Sequence, residues 1–80
     1  MAPVHNSALA DAVISIESAQ NIVVVKTLAG MANAIAVCID TMQVAGIVGS
    51  VAGDDTILFV FKTADIAYSA SIELKETFNN

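Results

Sequence analysis

Two runs of this chain carry no charged residue: Thr27 to Ile39 and Thr41 to Gly53, thirteen residues each, with only Asp40 between them. A helix that crosses a bilayer needs about 20 mostly apolar residues. Both runs are shorter than that, and both contain Gly and polar side chains. Segments this apolar must instead be buried, within the fold or against another chain. Immediately after the second run, the sequence "GDDT" sets Asp54 and Asp55 side by side.

The composition makes the same demand. Eighty residues form one small domain, and a domain of that size hides only roughly 60% of its unfolded surface. Yet 56% of the chain is hydrophobic, with a mean hydropathy of +0.74, where soluble chains run near 45–50% even with Gly included. The excess predicts exposed apolar surface that a partner covers, hence an oligomer. The net charge is −5, with three Lys and no Arg. Nucleic-acid binders neutralise phosphates with clustered basic residues, so the charge argues against direct contact with DNA or RNA. The beginning, "MAPVHNSALADAV", lacks the basic start and apolar middle of a secretory signal. The expectation is a cytoplasmic chain with no membrane segment, residues 1–8 forming a linker or disordered lead and 9–80 the domain. His5 reads as a solvated residue of that lead.

Periodicity then orders the domain. In "DAVISIES", Ile14 and Ile16 alternate with Ser15 and Glu17, the pattern of a half-buried strand. "SAQN" turns the chain, and "NIVVVKT" is a second strand, apolar on both faces. Next, Met31, Ile35, Cys38 and Met42 fall on one face of a helix that Gly30 precedes and that ends near Gln43 and Gly46. Asn33 and Asp40 lie on a different stripe, flanked by the small Ala32 and Ala36, where something could approach closely. "GIVGSVAG" and "TILFVFKT" are two strands joined by a short Gly/Asp turn, a hairpin. Thr63 is placed to cap a second helix, with Asp65 in its first turn and an apolar stripe of Ile66, Ala70, Leu74 and Phe78. The fold class is therefore α+β: a two-layer ββαββα domain, a four-stranded sheet with two helices on one face.

Little here could carry catalysis. The one His lies in the lead, and no Ser or Cys has a base at a recognisable spacing. Cys38, the single cysteine, excludes an intrachain disulfide and a zinc set, and lies on the apolar helix face. "GDD" also occurs in the metal turn of RNA-dependent polymerases, but a polymerase does not fit in eighty residues, and calcium loops need further oxygens that are missing. No metal is expected. Two readings of "GDDT" stay open. Asp suits a turn because its carboxylate accepts local N–H groups. Two adjacent carboxylates also repel, by roughly 1 kcal/mol in water at about 4 Å and about 4 at an effective dielectric of 20. A cation between them would remove that cost, and a guanidinium fits best because its planar fork bonds a carboxylate twice.

At this point the residues resemble a family. "IVVVKTLAGMANAIAVCID" followed by "GIVGSVAGDDTILFVF" is similar to the C-terminal domain of the bacterial arginine repressor, over roughly Ile14 to Phe78. The most specific pieces are the KT-x-x-G-x-A entry to the first helix and G-x-x-AGDDTI. The resemblance implies a ββαββα unit that forms trimers, two of which stack as a hexamer. It implies L-arginine bound between the trimers as corepressor, with no other cofactor. It also implies operator DNA held by an N-terminal winged helix-turn-helix domain that this chain lacks, and control of arginine biosynthesis or catabolism. Carried over by position, Asp54 and Asp55 match the aspartates that bind arginine. Asn33 stands where relatives carry Gln or another polar residue, Asp40 matches an acidic position at the helix end, and Ala52 a small residue whose backbone lines the site. The rival reading of another class is a module that assembles through its apolar faces and binds no small molecule.

Overall fold

The computed structural model describes residues 7–80. In chain order the elements are α1 (Ser7–Ala12), β1 (Val13–Ala19), β2 (Ile22–Thr27), α2 (Ala32–Thr41), β3 (Ile47–Ala52), β4 (Thr56–Phe61) and α3 (Ala64–Thr77). All strand pairings are antiparallel, and the sheet order is β1-β2-β4-β3. The expected ββαββα order is present, with one short helix added before it. His5 and most of the expected lead lie outside the described residues, while Ser7 and Ala8 open α1. The first strand accordingly starts at Val13 rather than Asp11. Six residues are too few for a helix to hold by propensity. Here Ala12 is buried, and its carbonyl accepts the Leu28 amide at 2.8 Å, which fixes the end of α1 to the rest of the fold.

Register decides which side chains meet. Ile16, Val25, Ile57 and Ala52 stand opposite one another across the four strands, and Val23 stands opposite Phe59. These are the core-facing rows; Ile16, Val23, Val25, Ile57 and Phe59 are all buried, as is Phe61. The alternate rows face away from the helices. There Val24 pairs Leu58 and Leu58 pairs Val51, while Ile22 pairs Val60. Leu58 is 39% exposed and Val51 is 69% exposed. β2 is thus apolar on both faces, as its sequence indicated, and the outer face of the sheet is left partly uncovered by the chain itself.

The two long helices close the core from one side. α3 is capped as expected: the Thr63 hydroxyl accepts the Ile66 amide at 3.1 Å, and Asp65 lies in the first turn. Its buried stripe is Ala67, Ala70, Ser71, Leu74 and Thr77, with Phe78 just beyond. Ile66 lies at the edge rather than in that stripe, 36% exposed. α2 is rotated from the expected stripe. Ala32, Ile35, Ala36 and Ile39 are its buried residues, while Met31, Cys38 and Met42 pack at the core's rim. Ala32 and Ala36 therefore bring the helix onto the sheet and do not open a place for a ligand. Burial pushes the Cys38 thiol above its ordinary value. The helix ends as anticipated, with Gln43 and Gly46 at φ +53° and +86°. Among the described residues, no helix is long and apolar enough to cross a membrane.

Candidate functional site

Gly53, Asp54 and Asp55 form the connection between β3 and β4, closed by the Gly53 amide donating to the Thr56 carbonyl at 2.8 Å. The turn is not left hanging at the sheet end. The Thr27 amide donates to the Asp55 carbonyl at 2.8 Å, and the Ala32 amide donates to the Asp54 carbonyl at 3.2 Å. Ala32 is the first residue of α2, and its N–H would have no partner within the helix. The turn accepts that bond in place of a side-chain cap, which Met31 does not supply. Gly30 makes the approach possible. It adopts φ +78° with open space around its Cβ position, so backbone freedom rather than room explains the glycine.

Both aspartates are exposed, and their surroundings differ. The Lys26 ammonium donates to the Thr56 hydroxyl at 2.9 Å, and that hydroxyl donates to Asp55 Oδ1 at 2.9 Å. Asp55 is thereby oriented and partly balanced by a lysine two bonds away. The Asp54 carboxylate, which takes no part in that chain, faces solvent. Lys26 and Thr56 were not read as site residues in the sequence. Their role follows from the β2–β4 register, in which Lys26 stands directly opposite Thr56. The Thr closing "GDDT" was the one local signal of it.

The remaining expected site residues divide. Asn33 is exposed in the first turn of α2, next to the residue that bonds Asp54. Ala52 ends β3 beside the turn and is half-buried, packed on the core. Asp40 is exposed near the other end of α2. Seven residues of helix separate it from Asn33, about 10 Å along the axis. Within one protomer the fold therefore gathers Asp54, Asp55, Asn33 and Ala52 with the start of α2, and sets Asp40 apart. Among the described residues, no three His, Cys, Asp or Glu side chains gather as a metal ion would require. Asp54, Asp55 and Asn33 are all exposed within the single chain. The cluster can offer carboxylates to a cation and helix-start amides to an anion.

Comparison with known proteins bears on this arrangement. Residues 9–76 match the family description "Arginine repressor, C-terminal domain". An arginine repressor of Lachnoclostridium phytofermentans is 42% identical over 71 residues, covering 89% of this chain and 47% of the relative. One from Clostridium acetobutylicum is 40% identical over 70 residues, covering 88% and 47%. One from Acetivibrio thermocellus is 57% identical over 54 residues, covering 68% and 35%. This chain thus spans about half the length, or less, of these curated relatives. The match runs from α1 to the last turn of α3 and includes the whole Asp54–Asp55 turn, and by it the chain belongs to the family of arginine repressor C-terminal domains.

Proposed function

We propose that this chain is the effector-sensing and assembly part of a transcriptional regulator of arginine metabolism, and that it binds L-arginine as corepressor between two stacked trimers. The observation that carries the reading is the bond between the Ala32 amide and the Asp54 carbonyl, which makes the acidic turn and the start of α2 a single unit. Arginine presents a planar cation at one end and an ammonium and a carboxylate at the other. Asp54, exposed and outside the Lys26–Thr56–Asp55 chain, suits the guanidinium, which takes two parallel bonds from a carboxylate. Asp55 takes the α-ammonium, or Asp40 does so from a neighbouring subunit. Asn33 and the backbone at Ala52 complete the lining. The amides at the start of α2, polarised by the helix, receive the carboxylate.

Assembly is supported by the uncovered apolar rows of the sheet. Val24, Leu58 and Val51 form a continuous strip on the face away from the helices. A ligand enclosed between trimers binds the hexamer better than free trimers and draws the equilibrium toward it. A hexamer presents more DNA-binding domains at once, so operator affinity rises by avidity. In this reading the operator is contacted through a separate N-terminal winged helix-turn-helix domain, the protein acts in the cytoplasm, and no reaction is catalysed. Thermal unfolding with L-arginine and with citrulline, which keeps the shape without the charge, tests it. Arginine alone should raise the melting temperature; equal shifts with both, or none with either, would refute a charge-reading site.

A further inference from the structure

Away from the acidic turn, a groove of about 220 Å³ lies among the described residues between the α2–β3 connection and α3. Val44 and Ala45 line it from the connection, and Ile66 and Ala70 from α3. Asp65, Ser69 and Glu73, all exposed, complete the lining from α3, with Ser69 between the two carboxylates. The groove is held in shape. Gly46 has φ +86°, and a Cβ there would lie 2.5 Å from Ile66 Cγ2, so the connection is pressed against α3. Its volume is below the roughly 300–1,000 Å³ of ordinary small-molecule sites, but it suits a single large apolar anchor from another protein.

Charge narrows the occupant. Asp65 and Glu73 are eight residues apart on α3, about 12 Å along the axis. On a helix of 3.6 residues per turn, Lys75 falls on the other side of α3, and no basic residue lines the groove. A partner must therefore bring an apolar residue flanked by cations at nearly the same spacing. We propose that this groove docks a basic amphipathic helix of a partner protein, with a large apolar side chain over Ile66 and Ala70 and two Lys or Arg side chains, about two turns apart, meeting Asp65 and Glu73. This surface is independent of the arginine reading.

The test is fluorescence anisotropy with a labelled amphipathic helical peptide carrying a central Leu and an Arg four residues to either side. Saturable binding is expected, weakened about tenfold or more by Glu73→Lys and also by Ala45→Trp, which fills the groove from the connection. Asp11→Lys makes the same charge change on α1, outside the groove lining, and should alter affinity by less than about twofold. Equal losses in Glu73→Lys and Asp11→Lys would reduce the effect to net charge and overturn the proposal. So would an unchanged Ala45→Trp, displacement of the peptide by an equal concentration of spermidine, or no binding at all.

Discussion

The backbone amide of Ala32 donates to the carbonyl of Asp54 across 3.2 Å. That bond joins the start of α2 to the one place in the chain where two carboxylates are adjacent. The position of the site therefore rests on main-chain geometry, and the Asp54 side chain is spared any structural duty there. A change confined to that side chain should alter binding and leave the fold alone.

Asp54→Asn is accordingly expected to abolish most arginine binding while keeping the circular dichroism spectrum and the unfolding midpoint of the parent. Breaking one side of an enclosed charge pair costs about 3–5 kcal/mol, a hundredfold or more in affinity. Calorimetric titration of the variant checks this, and wild-type affinity would show that Asp54 meets no cation.

The two left-handed glycines should differ. Gly46→Ala combines a φ of +86° with a Cβ 2.5 Å from Ile66 Cγ2. The strain and the overpacking together predict a loss of about 2–4 kcal/mol. Gly30→Ala meets open space at φ +78°, so only the backbone cost of about 1–2 kcal/mol applies. Urea unfolding at one fixed protomer concentration would rank them, and the reverse order would contradict the packing described for the α2–β3 connection.

Much of this was legible in the sequence, and the failures have physical causes. The strand periods, the Thr63 cap and the turn at Asp54–Asp55 are local signals, and local signals read correctly. In α2 the stripe of larger side chains, Met31, Ile35, Cys38 and Met42, is fully buried only at Ile35. Close packing on a sheet favours small residues, so Ala32 and Ala36 turned inward. α1 was missed because a six-residue helix has no period to read; it is held by tertiary contacts of Ala12. Lys26 and Thr56 were missed because their meeting depends on the pairing of β2 with β4, two strands that are not neighbours in sequence.

The outer sheet face makes a separate prediction. Val51 is 69% exposed in the isolated chain, so Val51→Lys should leave the protomer folded. If the Val24–Leu58–Val51 strip is an assembly surface, a lysine there should lower the mass found by light scattering toward that of the monomer. An unchanged oligomer would place assembly elsewhere.

Cys38 should behave as a packed thiol. Burial pushes its pKa up, so the protonated form is favoured in the folded state. The stability it contributes is complete below the ordinary thiol range and is lost as pH rises through the folded value. Iodoacetamide at pH 8 should alkylate the native protein more slowly than the urea-unfolded chain, and the native rate should climb at higher pH than a free cysteine's. A native rate equal to or above the unfolded one would indicate an activated thiol.

In the proposed function the acidic turn and the start of α2 form an arginine site completed by assembly. The direct measurement is calorimetric titration of L-arginine into this chain, with the mass taken by light scattering at both endpoints. Such a site requires saturation at one arginine per chain and a hexamer at the end of the titration. No heat and no change in mass would contradict it, leaving Asp54 and Asp55 a turn in a module that assembles without a ligand.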